Sequence, residues 1–266
     1  MTNKRENINI ATLNLNGETW WSINRRPRLP QKLFNIQYIK KELTKSCIIR
    51  LGEILKKEDY DVIAVQELVY SKKEREKIKT AIEKIKDVNG KQLYELFLPK
   101  NLKGSVHFTV GYIAKKKLNA TLNNISSENN LSNNRIAKLK FTIHDNEYSI
   151  INMHVNKYDI DIPSVNKNTI LLGDMNACSE EQTTDNKAVN AGFLEKINNA
   201  GWLEVRETGQ VYTWKSNGVE KKLDHIYVCR DFASHKSIEN KVDSTVNFYY
   251  DKRGFTDHSM LTITLE

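Results

Sequence analysis

Residues 168–176, NTILLGDMN, show the pattern that decides the fold of this 266-residue chain. The letters TILL form a short apolar run, which is typical of a buried β-strand. The run ends at Gly173, and Asp174 and Asn176 follow it. Burying these polar groups without partners would be costly, whereas loops at strand ends present polar side chains to a cleft. The stretch therefore predicts a buried strand that carries Asp174 and Asn176 to the edge of a sheet.

Polar residues stand at the ends of other predicted strands in the same way. A single Asn or Asp after a strand is usually a turn residue, and a single His is more often hydrogen-bonded within the structure than catalytic. Carboxylates, amides and histidines that all recur in this one context instead point to a shared site. The residues are Asn14 and Asn16 after INIATL (8–13), Glu67 after DVIAVQ (61–66), His154 after SIINM (149–153), Asp224 and His225 within KLDHIYV (222–228), and Asp257 and His258 before the last strand (259–265).

Short strands dominate the predicted secondary structure. Apolar residues at helical spacing predict helices over about 32–57 and 186–200, and charged residues predict one over about 71–86. Segment 119–134 is rich in Asn and Ser and is predicted to be a loop. Many strands with few helices between them predict an α/β fold, a two-sheet β-sandwich with helices packed on the outer faces. No linker divides the chain, so we expect one domain over residues 1–266. Strands are predicted at about 8–16, 61–67, 92–98, 105–114, 136–144, 147–154, 168–176, 211–214, 222–228 and 259–265.

Charge is distributed unevenly along the chain. Residues 1–120 carry 25 Lys and Arg against 13 Asp and Glu, net +12, and residues 121–266 carry 16 against 20, net −4, which together give +8. A basic half can hold a polyanion while an acidic half supplies carboxylates for a metal. Many of the lysines lie in segment 71–86, where Glu and Lys alternate as on a salt-bridged helix surface.

The loop after the first predicted strand carries a second kind of basic cluster. Arg25, Arg26 and Arg28 have no acidic neighbour, and the prolines among them keep the segment out of a helix. The cluster is a candidate phosphate contact, with an ordinary exposed loop as the alternative. Trp20 and Trp21 in the same loop are candidates for stacking on bases, with core packing as the alternative.

The sequence contains no predicted membrane or export segment. No apolar run approaches the ~20 residues that span a bilayer, and the N-terminal residues lack the apolar region of a signal peptide. Cys47, Cys178 and Cys229 lie far apart, which favours buried thiols in a reducing compartment over disulfides or a zinc site. We expect a cytoplasmic monomer that does not bind membranes.

The residue types at the strand ends suit the hydrolysis of a phosphodiester. This anionic substrate repels hydroxide, so catalysis needs charge neutralisation, activation of water and stabilisation of the leaving oxygen. Oxygen ligands such as those of Glu67 and Asn14 suit Mg²⁺ or Mn²⁺, and histidines exchange protons near neutral pH. The chain has neither a Cys/His zinc pattern nor a phosphate-binding glycine loop. A metal-assisted hydrolase is therefore favoured over a nucleotide-dependent motor.

An ordered series of motifs resembles the endonuclease/exonuclease/phosphatase superfamily, which includes pancreatic-type deoxyribonucleases and abasic-site endonucleases. The motifs are TLNLNG, AVQE, NMHVN, LLGDMNA, YTW with KLDHIYV, and FTDHSML, and they run from residue 8 to residue 265. The pair LDHIYV and TDHS is the most specific of them. The resemblance implies a deoxyribonuclease-like four-layer sandwich with the active site at one end.

The resemblance also implies a set of metal and water ligands. Glu67 would bind the metal, Asn14 would contribute directly or through water, and Asp257 would lie near the ion. Asp174 would position or activate the attacking water, and Asn176 would hold a phosphate oxygen.

The remaining implied roles concern the phosphate and its surroundings. His258, oriented by Asp224, would contact the scissile phosphate as an acid, a base or a charge stabiliser. His154 would bind phosphate or help to protonate the leaving oxygen. Either Asp174 or His258 would accept the proton of the attacking water. We assign substrate binding to Asn16, Arg25, Arg26, Arg28 and Trp214.

Two departures from the family pattern surround His154. Abasic-site endonucleases usually place Tyr at this position, so the histidine favours the deoxyribonuclease-like and phosphatase-like branches. The connection from His154 to Asp174 is short, and Lys157–Lys167 contains Pro163 and little apolar periodicity. We therefore expect a short loop where relatives commonly have a helix.

The sequence leads to a divalent-metal-dependent phosphodiesterase that hydrolyses nucleic acid, with DNA endonuclease as the first choice. The alternative is a phosphatase or phospholipase acting on inositol phosphates or sphingolipid head groups. A non-catalytic binding module is the third hypothesis, and it is disfavoured because the implied site positions carry competent residues.

Overall fold

The computed structural model describes most of the chain between residues 7 and 265. The described residues are 7–15, 48–49, 51–57, 59–69, 72–100, 108–123, 135–143, 145–156, 158–205, 212–216, 218–229, 232, 238–243 and 258–265.

Strands are the most common regular structure among the described residues. In chain order they are β1 (Ile8–Asn14), β2 (Val62–Val69), β3 (Tyr94–Phe97), β4 (Phe108–Lys115), β5 (Thr121–Asn123), β6 (Ile136–Ile143), β7 (Asn146–His154), β8 (Thr169–Asp174), β9 (Trp202–Glu204), β10 (Trp214–Ser216), β11 (Val219–Lys221), β12 (Asp224–Cys229), β13 (Ile238–Asp243) and β14 (Met260–Leu265). The helices are α1 (residues 51–57), α2 (Lys72–Glu83) and α3 (Ala191–Asn199).

The strands form two mixed sheets of six strands each. The first sheet has the order β13-β14-β1-β2-β4-β3, and the second has the order β5-β6-β7-β8-β12-β9. Each has one parallel pair near its centre, β1 with β2 and β7 with β8. Strands β10 and β11 form a separate two-stranded hairpin.

Three apolar layers separate the sheets from each other and from the helices. The layer between the sheets includes Ile10, Tyr112 and Ile226. The outer face of the first sheet packs against α1 and α2, and the outer face of the second packs against α3; the apolar residues of the helices in these layers are Leu51, Ile54, Leu55, Ile78, Ile82, Phe193, Leu194 and Ile197. The molecule is therefore a four-layer sandwich, and the predicted fold class is confirmed.

Buried polar side chains link the two sheets through the central apolar layer. Gln66 Nε2 on β2 donates to Asn152 Oδ1 on β7 at 2.6 Å and to Thr12 Oγ1 on β1 at 2.9 Å. Asn152 Nδ2 donates back across the interface to the carbonyl oxygens of Val65 and Gly111, both at 3.0 Å. These bonds satisfy groups that would be costly to bury alone, and they set how the sheets lie against each other.

A second buried polar cluster lies on the outer side of β12. His225 Nδ1 lies 2.7 Å from Glu204 Oε1, and Lys222 Nζ donates to the same oxygen at 2.8 Å. Burial raises the pKa of Glu204, but the hydrogen bonds and charges of His225 and Lys222 outweigh this and lower it to about 2. The carboxylate is thus ionised in the folded protein over the whole neutral range.

Several predicted element bounds were wrong. The helix predicted at 186–200 is shorter, Ala191–Asn199, because Asn190 before it has a left-handed backbone with φ of 47°. The predicted loop 119–134 begins with β5, which pairs with β6 at the edge of its sheet. The strand predicted at 211–214 is instead the hairpin strand β10. Strands β9, β11 and β13 were not predicted at all. Residues 48–49 and 51–57 of the predicted helix 32–57 are helical, and the rest of that range lies outside the described residues.

Replacing the buried amide that links the sheets tests its contribution to stability. Asn152→Ala removes the side-chain donor to two carbonyl oxygens and one of the two acceptors of the Gln66 amide, so we expect the free energy of unfolding to fall by about 3 kcal/mol. Urea unfolding followed by tryptophan fluorescence measures the change. Asn123→Ala on the exposed edge strand is the control, expected to change stability by less than about 0.5 kcal/mol. Equal effects of the two substitutions would contradict the linking role.

The lowered pKa of Glu204 predicts a pH dependence of stability. Its folded-state pKa of about 2 lies below the ordinary value of 4.5, so its stabilising effect is present above pH 4.5 and is lost as the pH falls toward 2. The full effect is at most about 3 kcal/mol. We expect Glu204→Gln to be less stable than the parent at pH 7 and to lose less stability between pH 5 and pH 2.5. The exposed Glu195→Gln is the control, and an unchanged acid limb in Glu204→Gln would contradict the prediction.

Candidate active site

Alternation along the strands places four of the predicted site residues at one end of the sandwich interior. Side chains two residues apart point to the same face of a sheet. Asn14 therefore lies on the same face as Ile10, which is in the central apolar layer. By the same spacing His154, Asp174 and Asp224 continue the interior faces of β7, β8 and β12, and all four are buried. The interior thus ends in a polar cluster where strands from both sheets meet.

Glu67 reaches the cluster through a break in the alternation of β2. Between the pairs Val65–Gly111 and Leu68–Thr109, two residues of β2 stand opposite one residue of β4, which is a β-bulge. Glu67 has φ of 53°, a left-handed conformation that costs free energy in a residue other than glycine. The bulge returns Leu68 to the outer apolar layer. It also lets the Glu67 carboxylate join the polar cluster, where strain of this kind commonly marks function.

The carboxylates of Glu67 and Asp174 meet at the side chain of Asn14. Asn14 Nδ2 donates to Glu67 Oε1 at 3.3 Å and to Asp174 Oδ2 at 2.8 Å. The pKa of Asp174 is raised to about 6. Burial is the main cause and the charge of Asp224 adds to it, against the lowering effects of His258 and of the hydrogen bonds that Asp174 accepts. A divalent cation would relieve this concentration of buried negative charge.

The donor set fits a hard divalent ion. Carboxylate and amide oxygens are the ligands that Mg²⁺ and Mn²⁺ prefer, and Glu67 and Asn14 supply them side by side. Among the described residues, no three His, Cys, Asp or Glu side chains by themselves form a metal cage. Asn14 is an amide and so is not one of these four residue types, and Asp257 lies outside the described residues.

Asp224 and His258 form a buried pair opposite Glu67. His258 Nδ1 donates to Asp224 Oδ2 at 2.7 Å, which fixes the imidazole ring, and His258 Nε2 lies 3.9 Å from Asp174 Oδ2. Thr213 holds this pair from behind: its Oγ1 accepts from the backbone N–H groups of Leu223 and Asp224, both at 2.9 Å. The ring nitrogen not bound to Asp224 is therefore directed to the carboxylate of Asp174.

His154 has a partner that sequence reasoning missed. Arg135 Nη1 donates to His154 Nδ1 at 2.5 Å, and both side chains are buried. The same Nη1 lies 3.4 Å from Nε2, and the shorter contact with Nδ1 favours the neutral tautomer with its N–H at Nε2, because an arginine can only donate. Burial lowers the pKa of His154 well below its ordinary value, with the charges of Arg135 and His258 adding to the effect. His154 Nε2 lies 3.4 Å from Glu67 Oε1 and 3.7 Å from Asp174 Oδ2.

The turn after β8 holds Asn176 close to Asp174. Asn176 has φ of 48°, its backbone N–H donates to Asp174 Oδ1 at 2.8 Å, and its Nδ2 donates to Val155 O at 3.0 Å. Gly173 permits the approach of β7, because a Cβ there would lie 2.0 Å from Met153 O, and φ of 132° suits glycine. The register that pairs His154 with Asp174 depends on this glycine.

The other predicted substrate contacts are only partly located. Trp214 is partly buried and forms an isolated β-bridge with His258, so it lies next to the polar cluster. The other residues proposed for substrate or metal binding lie outside the described residues. They are Asn16, Trp20, Trp21, Arg25, Arg26, Arg28 and Asp257.

The connection from β7 to β8 is short and has no regular structure in its described residues, 155–156 and 158–168. This confirms the prediction of a loop in place of a helix. Trp202 Nε1 donates to Pro163 O at 2.9 Å and Lys196 Nζ donates to Ile160 O at 2.5 Å, which hold the connection against α3 and β9. Among the helices described, none is both long and apolar enough to cross a membrane.

Solved structures with the same architecture include nucleases. The chain aligns with a 3'-5' exonuclease from Neisseria meningitidis at 14% identity and a TM-score of 0.60, covering 96% of this chain and 98% of that one. It aligns with the endonuclease domain of TRAS1, a telomere-specific non-LTR retrotransposon, at 13% identity and a TM-score of 0.58, covering 98% and 99%. A complex of D. rerio TDP2 with a single-strand DNA product has 13% identity, a TM-score of 0.56 and the same two coverages. At these identities the likenesses establish the fold.

The sequence itself decides the family. No curated protein matches the chain significantly, but the family model described as Endonuclease/Exonuclease/phosphatase family matches residues 11–258. That range includes each residue of the polar cluster. The chain therefore belongs to the endonuclease/exonuclease/phosphatase family, whose members hydrolyse phosphoester bonds.

Proposed function

We propose that this protein is a divalent-metal-dependent phosphodiesterase that cleaves nucleic acid, with DNA as the first-choice substrate and endonucleolytic cleavage as the reaction. The observation that carries the proposal is the meeting of three components at one end of the sandwich. These are the oxygen donors of Glu67 and Asn14, the buried carboxylate of Asp174, and the Asp224–His258 pair.

Glu67 and Asn14 would hold the ion, with Asp257 near it. Mg²⁺ or Mn²⁺ bound there neutralises charge on the phosphate oxygens and on the leaving oxygen. The strained backbone of Glu67 supports this role, since such strain persists where the surrounding structure keeps a side chain in place for function.

Asp174 acts as the base that accepts a proton from the attacking water. Of the two candidates for this role, Asp174 and His258, we favour the carboxylate because of its position: Asp174 Oδ2 accepts from Asn14 Nδ2 at 2.8 Å and lies 3.9 Å from His258 Nε2. The water oxygen attacks phosphorus as its proton passes to Asp174, and the bond from phosphorus to the leaving oxygen breaks. His258, fixed by Asp224, contacts the phosphate and stabilises its charge.

His154, Arg135 and Asn176 bind the phosphate. The N–H at His154 Nε2 is a donor directed into the cluster, because Arg135 occupies Nδ1. This arrangement favours phosphate binding over protonation of the leaving oxygen, the other role left open for His154. Arg135 also places a permanent positive charge near an anionic substrate. Asn176 contributes an amide from the turn after β8.

The choice of nucleic acid rests on charge and on similar proteins. The N-terminal 120 residues carry a net charge of +12, which suits a polyanionic substrate. Similar structures include an endonuclease domain, a 3'-5' exonuclease and a complex with a single-strand DNA product. His154, in place of the tyrosine of abasic-site endonucleases, favours a general nuclease over an abasic-site enzyme.

A cleavage assay with purified protein tests the proposal. We expect supercoiled plasmid to be converted to nicked and then linear DNA in the presence of Mg²⁺ or Mn²⁺, and EDTA to abolish the conversion. Glu67→Gln and His258→Ala are expected to lower the rate by at least about 100-fold, since each removes a charge-stabilising group. Glu95→Gln, on β3 away from the cluster, is the control and should retain full activity. Cleavage that persists in His258→Ala would refute the role given to that residue.

The same assay with other substrates separates the alternatives. Abasic duplex, single-stranded DNA, RNA, inositol phosphates and sphingolipid head groups complete the panel. Release of phosphate or of a lipid head group with intact nucleic acid would establish the phosphatase or phospholipase alternative. Tight DNA binding without turnover under any metal would establish a binding module.

Arg135 is expected to affect binding and catalysis together. Arg135→Met keeps the length of the side chain but removes its charge and its hydrogen bond to His154, so we expect kcat/KM to fall by about 10- to 100-fold. The dependence of KM on salt should also become weaker, because one contact to phosphate is lost. Lys140→Met, on strand β6 directly after Arg135 and paired with the exposed Glu147, is the matched control. Equal salt dependence in the parent and in Arg135→Met would contradict a phosphate contact.

A further inference from the structure

The turn that carries Asp174 and Asn176 is held from behind by side chains of three other segments. Tyr158 Oη, in the connection after β7, donates to Asn176 O at 2.7 Å. Asn190 Nδ2, before α3, donates to the same oxygen at 3.4 Å. His225 Nε2, on β12, lies 2.8 Å from the carbonyl oxygen of Ala177. The two successive carbonyl groups therefore have side-chain donors from outside their own segment.

His225 contacts two groups that can only accept. Its Nε2 faces the carbonyl of Ala177, and its Nδ1 faces the ionised carboxylate of Glu204. Both ring nitrogens must therefore carry hydrogen for both bonds to form. The ring is fully buried, and its Nε2–H is the donor that holds Ala177.

Tyr158 is placed to donate through its hydroxyl. Its ring packs edge-on against Phe193 of α3, with centroids 5.6 Å apart and an interplanar angle of 71°. Burial raises the pKa of Tyr158, and the charge of Asp174 raises it further, so the hydroxyl keeps its proton. The short connection after β7 thus has a specific contact with the back of the active-site turn.

The turn needs such contacts because its backbone is strained. Asn176 has φ of 48°, a conformation that costs free energy outside glycine, although less in asparagine than in most residues. The N–H of the same residue donates to Asp174 Oδ1 at 2.8 Å, so the turn and the Asp174 side chain are held together. If the turn relaxed, the Asp174 carboxylate and the Asn176 amide would both move.

We propose that Tyr158 and His225 are positioning residues that hold the turn 174–177 in its active conformation by donating hydrogen bonds to Asn176 O and Ala177 O. This inference rests on the proposed function of Asp174 and Asn176, and it adds two residues to which that function assigns no role. Neither side chain touches the substrate in this proposal. They act through the distance and orientation of the residues that do.

Tyr158→Phe tests the first donor, because it removes one hydroxyl and keeps the ring on Phe193. We expect kcat for plasmid cleavage to fall by about 10- to 100-fold with KM nearly unchanged, the signature of misplaced catalytic groups. Tyr94→Phe is the matched control. It removes a tyrosine hydroxyl that donates to a backbone carbonyl, Tyr60 O at 3.2 Å, away from the polar cluster. Its kcat should equal that of the parent, and an unchanged kcat in Tyr158→Phe would overturn the role of Tyr158.

Two substitutions of His225 separate positioning from stability. His225→Gln can still donate an amide N–H to Ala177 O but loses the contact of the ring with Glu204, which keeps only Lys222, whereas His225→Leu loses both contacts. We expect both variants to unfold at lower temperature, but only His225→Leu to lose about 10- to 100-fold in kcat. If kcat falls equally in the two variants, in step with their stability, His225 is structural only and the proposal is overturned for it.

Hydrogen exchange gives a readout that does not depend on activity. The backbone amides of Asn176 and Cys178 donate within and beside the turn, the second to Val189 O at 2.7 Å. We expect both to exchange about 10-fold faster in Tyr158→Phe and His225→Leu, but not in Tyr94→Phe. If exchange is faster in the variants but the parent cleaves no phosphodiester, the proposed function is refuted, while the role of Tyr158 and His225 in holding the turn stands. Unchanged exchange in an active enzyme would refute the positioning role alone.

Discussion

The hydrogen bond between the side-chain amides of Gln66 and Asn152 is the contact on which the geometry of this protein most depends. It joins the central strands of the two sheets at 2.6 Å, inside an apolar layer where neither amide has access to water. Gln66 immediately precedes Glu67, and Asn152 lies two residues before His154. The separation of the sheets at this point therefore sets the 3.4 Å approach of the imidazole of His154 to the carboxylate of Glu67. An apolar pair of similar size would fill the space without imposing a distance or an orientation.

Two features of the polar cluster at the end of the sandwich interior cost free energy of folding. One is electrostatic, because buried carboxylates lie together and the pKa of Asp174 is raised to about 6. The other is conformational, because Glu67 and Asn176 have left-handed backbones. Such costs lower stability unless the surrounding structure compensates them, and they are commonly found together where a metal and an anionic substrate bind. The hydrogen bonds of the turn after β8 and the pair formed by Asp224 and His258 are the local compensation that the structure provides.

Much of the fold could be predicted because strand patterns are local. Apolar runs such as TILL, followed by Gly173 and polar residues, identify a buried strand and its end without knowledge of its neighbours. The short edge strands β5, β9 and β13 were missed because they carry little apolar alternation, and it is their pairing partners that make them strands. In the same way, the polar residues of the cluster could be selected by their position after strands. Arg135 and Thr213 could not, because each is an ordinary polar residue until the fold brings His154 or Asp224 against it.

The sequence by itself determined the four-layer sandwich, the family, and the kinds of side chain at one end of the sandwich. It could do so because apolar periodicity is local along the chain, and because the ordered motifs that resemble the family can be read from the sequence directly. Only the tertiary structure decided how those side chains act on one another. The bulge that turns Glu67 into the cluster depends on the register of β2 with β4, and the tautomer of His154 depends on a donor from Arg135, the residue before β6. The positions of Tyr158 and His225 behind the turn depend on contacts between segments far apart in the chain. No local pattern records such contacts, because the groups become neighbours only when the sheets pair and pack.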